Sequence, residues 1–284
     1  MAWRPQGRFL QRVAPTPDRT PDWRDAEAYA PLLDVGRPGF AWEWLRRDRG
    51  YCTAAAGAGR SHGLAPAFIE ADERAARWGL HAFERPDRDA LAARPVWRRE
   101  LFPSVLEAEA VDQGSDEDRL EIGRLRRFVT SVRDLGGREH LLLSDGRRAI
   151  RLDILSGSLS ERPVLRYRLA GLSGVQPPLL ALRQLLALWS TGRFSRALHP
   201  REQRASRWIL LLRASDGLAA GAGQRDIAAA LLGREAADRR WRVEASSLRS
   251  RAQRLVRDAR RMAAGGYLSL LGGMTLLPRF RRAG

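Results

Sequence analysis

The stretch Gln224–Tyr267, QRDIAAALLGREAADRRWRVEASSLRSRAQRLVRDARRMAAGGY, decides how this chain is read. Its opening places Ile227, Ala228, Leu231 and Leu232 on one helical face and closes at Gly233. A longer connection follows in which Trp241 is positioned to anchor on a core, and Ser246 or Ser247 can cap a second helix. Advancing about 100° per residue from Leu248, Ala252, Leu255, Ala259 and Met262 fall on one side. Ser250, Gln253, Arg254, Arg257, Arg260 and Arg261 fall on the other. A short helix, a turn and a long helix with one apolar and one basic face have the layout of a helix-turn-helix DNA reader.

Recognition helices reach base edges mainly through their N-terminal turns. Ser247, Ser250, Arg251 and Gln253 are therefore the expected base readers, with Arg254 at the border, and Ser246 and Arg249 flank them. Arg257, Arg260 and Arg261 lie further along and are expected on phosphates. Gln224 and Arg225 open the first helix, where backbone amides and the helix dipole attract phosphate.

The distribution of charge agrees with this reading. The chain carries a formal net charge of +17, and all 50 of its basic residues are Arg. Residues 1–178 hold 29 Arg against 26 acidic residues, a net of +3, whereas residues 179–284 hold 21 against 7, a net of +14. A coding bias toward Arg would act along the whole chain, so it does not explain why acidic partners thin out only in the last third. Such asymmetry is the footprint of a polyanionic ligand.

Other chemistries find little support. The single Cys52 excludes an internal disulfide and suits a reducing compartment. No apolar run approaches the length of a membrane span, and MAWRPQGRFL lacks the core of a signal peptide, so a cytoplasmic protein without membrane contact is expected. His62, His81, His140 and His199 are far apart and lack neighbouring ligands at metal spacing, so no metal site and no cofactor are expected. With no Lys there is no phosphate loop of the Walker type, and no nucleophile or carboxylate cluster suits phosphoryl transfer. The expectation is a protein that is not an enzyme.

Upstream, residues 1–20 read as a flexible arm. Residues 21–112 form a Trp-rich module and its connection. In PDWRDAEAYAPLL, Asp22 is placed as an N-cap with Ala26, Tyr29, Ala30 and Leu33 along one face. In FAWEWLRRDRGY, Phe40, Trp44 and Arg47 share a face and Trp42 lies off it. These aromatics read as a packed mini-core, with a base-stacking platform as the rival. CTAAAGAGRSHGLAP reads as a loop, followed by a helix from Pro66 to Trp78 and an apolar anchor at Val96 and Trp97. The acidic VLEAEAVDQGSDEDRLEIG is the expected boundary.

Residues 119–178 change to period two and predict a small antiparallel sheet, with Asp145-Gly146 turning a hairpin between Leu141–Ser144 and Arg147–Ile154. Residues 179–284 are then helical. Leu179, Leu182, Leu186 and Trp189 define one face; Arg201, Ala205, Trp208, Ile209 and Leu212 define the next, which Asp216-Gly217 ends. The fold class expected is α+β and mainly helical: a helical N-terminal module, a central antiparallel sheet and a C-terminal helix-turn-helix domain.

QRDIAAALLG, then Trp241, then SLRSRAQRLVRDARRMAAGGYLSLL resembles the C-terminal DNA-binding module of a proteobacterial family long catalogued as a domain of unknown function. PDWRDAEAYAPLL with FAWEWLRRDRGY is similar to the transcriptional-regulator-like module that accompanies it. Proteins carrying both modules include the excision activators of integrative and conjugative elements, which switch on the gene for a recombination directionality factor. The resemblance implies a sequence-specific transcriptional activator of excision and transfer genes. The rival is an adaptor or architectural protein that binds nucleic acid without sequence preference. Double-stranded DNA is the expected partner under both, and a homodimer and contacts with RNA polymerase or another regulator stay open.

Overall fold

A computed structural model describes residues 20–58, 69–172, 174–233 and 246–272. The expectations for the arm at 1–19, for His62 and for Trp241 concern residues outside that set.

The front of the chain folds more tightly than its helical pattern suggested. Glu27–Asp34 is a 3-10 helix containing Pro31, which has no N–H to give an α-helical bond. With three residues per turn, Tyr29 and Leu32 align inward and Leu33, expected inside, is exposed. Asp22 does not cap this helix; its carboxylate accepts from the Arg24 amide in the preceding turn. The following helix, α1 (Arg37–Leu45), has no free face: Phe40, Ala41, Trp42, Glu43, Trp44 and Leu45 are all buried. A helix enclosed all round belongs to the interior. Trp42, expected off the packed face, donates its indole N–H to the Arg88 carbonyl at 2.9 Å. The aromatics are core, and the base-stacking platform is set aside.

Helix α2 (Arg49–Gly57) runs into the Ala-rich stretch expected to be a loop. Asp48 caps it by accepting from the Tyr51 amide, and Ala54, Ala55 and Ala56 favour its continuation. In place of the expected helix ending at Trp78 stand strand β1 (Ile69–Glu70) and a 3-10 helix, Glu73–Trp78.

The remaining strands are β2 (Val105–Val111), β3 (Val129–Arg133), β4 (Glu139–Ser144), β5 (Ala149–Ile154) and β6 (Val164–Arg168). They form one sheet in the order β1-β3-β4-β5-β2-β6. The β3–β4–β5 meander is antiparallel, with Asp145-Gly146 in the β4–β5 turn. β2, taken from the acidic stretch read as a boundary, lies parallel to β5 and antiparallel to β6. The sheet is thus mixed and larger than the 119–178 region, within an α+β fold. In VLEAEAV, Glu107 and Glu109 alternate with Leu106, Ala108 and Ala110, a period of two within an acidic stretch.

The two faces of the sheet are covered differently. On one, Leu106, Ala108, Leu141, Leu143, Ile150, Leu152 and Ile154 pack against Ala181, Leu185 and Leu188 of α3 (Gln176–Thr191). The face of α3 expected to be buried is rotated: Leu179 and Leu186 are exposed, Leu186 by 52%. So α3 covers the sheet instead of supporting the reader helices. On the opposite face, Val132 and Leu142 meet Val96, beside a buried polar group of His81, His140, Arg151 and Asp153.

The main core joins the two ends of the chain. Trp23, Tyr29, Phe40, Trp42, Trp44, Leu45, Tyr51 and Trp97 share it with Trp208, Leu212, Ile227, Leu255, Ala259, Met262 and Tyr267. Phe40 and Trp208 meet edge to face with ring centres 5.1 Å apart, the arrangement favoured by aromatic quadrupoles. The Trp-rich module is therefore packed directly onto α4 (Ala205–Ala219), α5 (Gln224–Leu232) and α6 (Ser246–Ala263).

Candidate nucleic-acid interface

Helix α6 is strongly amphipathic because its apolar residues recur at three- and four-residue intervals. Ala252, Leu255, Ala259 and Met262 are buried as their spacing predicts, Val256 joins them, and Leu248 is half-buried. They pack on α4 and α5. Arg249, Arg251, Gln253, Arg254, Arg257, Arg260 and Arg261 are exposed, and Ser250 is half-buried. Ser246 and Ser247 begin the helix, but their side chains lie outside the described set.

One acid interrupts the basic face. Asp258 accepts from Arg207 of α4 at 3.1 Å, and its Oδ1 lies 3.8 Å from Arg257 and 3.6 Å from Arg261. Arg257 and Arg261 are 74% and 72% exposed, so these contacts are solvent-screened and weak. Arg251, Arg254 and Arg260 have no carboxylate partner among the described residues. Asp258 is visible in the sequence as the acid within the arginine-rich helix, but Arg207, which reaches the same group from another helix, is not.

The start of α5 is less purely anion-attracting than expected. Arg225 is exposed and Gln224 half-buried, but Asp226 accepts from the Gly223 amide at 3.1 Å. Its negative charge already answers the positive end of the helix.

The reader helices are held by a buried ionic junction with the Trp-rich module. Asp216, expected to end α4, lies inside a helix that continues to Ala219. Its carboxylate accepts from Arg47 and from the Tyr29 hydroxyl at 2.7 Å. Glu43 binds Arg46 and Arg47 from within α1. Burial works to raise the Glu43 carboxyl, but Arg47 and then Arg46 outweigh it and hold the group below its ordinary 4.5. Burial, with the Asp216 charge next, pushes the Tyr29 hydroxyl well above its usual range. The Glu43–Arg47 spacing was a visible i,i+4 pair; that Asp216 completes it was not.

A second polar cluster corrects the histidine reading. His81 and His140 are 59 positions apart but stack at 3.6 Å with ring planes 19° apart, and Asp153 lies against them. Linear spacing concealed this, because His140 and Asp153 are cross-strand partners of β4 and β5. Burial, then His140 and Arg151, pushes His81 down to about 3. Burial works to raise Asp153, but Arg151 and His140 outweigh it and bring the carboxyl to about 2.

Among the described residues no helix is long and apolar enough to cross a membrane. Residues 22–81 match a family described as a proteobacterial transcriptional regulator-like domain. Residues 175–272 match a family described as the DNA-binding domain of a T6SS transcription factor. No curated protein matches the chain. The second match begins at α3 and takes in α4, α5 and α6, the helices that build and brace the exposed basic face. Together the two matches support a DNA-binding transcriptional regulator with DNA as its partner.

Proposed function

We propose that this chain is a sequence-specific activator of excision and transfer genes of a mobile genetic element, working in the cytoplasm and catalysing no reaction. The observation that carries the DNA-binding reading is α6, whose apolar side is seated on the core while its arginines and Gln253 remain exposed. Bases would be read from the first two turns, by Ser247, Ser250, Arg251 and Gln253, with phosphates held by Arg257, Arg260 and Arg261. The regulated genes are assigned from the resemblance of QRDIAAALLG and the α6 segment to the excision-activator module. RNA polymerase or another regulator would be the protein partner at the promoter, and a homodimer would match a two-fold operator.

A genome-wide binding footprint would identify the operator. Its affinity should then exceed that for random DNA by at least about 10³ at physiological salt. Equal affinity for both would favour the non-specific adaptor. A footprint confined to T6SS genes would keep the DNA reader and replace the regulated genes.

A further inference from the structure

The geometry points to a divalent transition-metal site of the zinc class at the junction between the Trp-rich module and the sheet, held by His81 Nε2, His140 Nδ1 and the Asp153 carboxylate. Each ligand comes from a different element. Asp153 lies on β5, His140 faces it from β4, and His81 follows the Glu73–Trp78 helix, held by the amide of His81 donating to the Val96 carbonyl. All three are buried, and their ligand atoms lie within 4.8 Å of one another.

The hydrogen-bonding pattern favours a cation. His140 Nε2 is 3.3 Å from Asp134 Oδ2, which orients the ring from outside the cluster. His140 Nδ1 lies 3.0 Å from Asp153 Oδ1, buried and without hydrogen-bond geometry. His81 Nε2 is also buried and unpartnered. Orphaned buried polar atoms are costly, and one ion between them would give each of them a partner. A carboxylate holding the outer nitrogen of a ligand histidine is the usual support of such a site.

The charges permit it. Arg151 holds Asp153 Oδ1 at 2.9 Å and is itself anchored by the Trp97 and Leu141 carbonyls. A carboxylate has two oxygens, so Asp153 can bridge the guanidinium and an ion. Around the two rings, the carboxylates of Asp134 and Asp153 outnumber the one guanidinium of Arg151. Tetrahedral zinc with bonds of about 2.0–2.2 Å separates its ligand atoms by about 3.4 Å. The stacked rings must therefore splay by side-chain rotation until their lone pairs converge. An exchangeable ligand would take the fourth position.

The test uses the full chain, stripped with a chelator and titrated with Zn²⁺ by calorimetry and with Co²⁺ by visible absorption. One equivalent of each should bind, with Co²⁺ giving the intense d–d bands of a tetrahedral site. His81→Ala should abolish both signals, and His199→Ala should leave them unchanged. Asp134→Asn keeps the oxygen that accepts from the Gly136 and Arg138 amides but loses the charge on His140, and should weaken binding about 10- to 100-fold. Absence of stoichiometric binding to the folded wild-type chain would overturn the proposal. Undiminished binding by a folded His81→Ala variant would overturn it too. The Co²⁺ spectrum of the wild type decides the matter even if a variant fails to fold.

Discussion

Arg47 grips Asp216 with two hydrogen bonds, Nε to Oδ1 at 2.7 Å and Nη2 to Oδ2 at 3.1 Å, joining the Trp-rich module to the helix that supports α6. Both side chains are largely withdrawn from water, at 14% and 5% exposure. Removing one partner leaves an uncompensated buried charge, whereas replacing both with apolar groups of similar volume does not. Arg47→Ala should cost about 3–5 kcal/mol in urea unfolding, and Arg47→Met with Asp216→Leu distinctly less. Equal losses would show that packing, not the ion pair, holds this junction.

The same junction sets an acid limit on stability. Glu43 has its folded-state value lowered from 4.5, so the unfolded chain binds its proton more readily. Its contribution is complete above about pH 4.5 and is lost as the pH falls through the lower folded-state value. Glu43→Gln should flatten the stability–pH curve below that point, as measured by denaturant midpoints. A curve with unchanged slope would place the acid sensitivity in other groups.

On α6, Gln253→Ala should relax base preference with a modest loss of affinity, about 1–3 kcal/mol for the cognate site only. Arg257→Ala should weaken cognate and random DNA alike and lower the salt slope by about one. Competition binding at two salt concentrations separates them. If the two variants behave alike, the division of the helix into base-reading and phosphate-holding turns is wrong.

Asp258→Asn removes the one carboxylate near Arg257 and Arg261 among the described residues. Non-specific DNA affinity should rise several-fold at low salt, with the gain fading as salt increases. Stability should fall slightly, because Arg207 loses its charged partner on α6. Unchanged affinity for random DNA would remove this end of α6 from the interface.

Gly146→Ala should destabilise by about 2 kcal/mol or more. Gly146 turns the β4–β5 hairpin at φ +91°, and an added Cβ would stand 2.3 Å from the Leu91 carbonyl oxygen, so both conformation and contact forbid it. Thermal unfolding measures the loss; a neutral result would mean that the hairpin does not press on residue 91.

The sequence by itself determined the periodic elements and the charge layout. α6 was legible because one stripe of Ala252, Leu255, Ala259 and Met262 faces a nearly unbroken run of arginines, and both features are local. The β4–β5 hairpin was legible because Asp-Gly admits the left-handed backbone a tight turn needs. The tertiary structure decided what depends on partners distant in the chain. Apolar spacing put α3 on its Leu179 and Leu186 side, but the sheet selects Ala181, Leu185 and Leu188, because side-chain fit against β2 and β5 sets the rotation. VLEAEAV looked like a boundary until β5 and β6 flanked it. Asp216 looked like a helix end until Arg47 and Tyr29 met it, and three residues distant from one another in sequence, His81, His140 and Asp153, became one buried cluster. A buried charge or lone pair is defined by what lies opposite it, and only the folded chain supplies that.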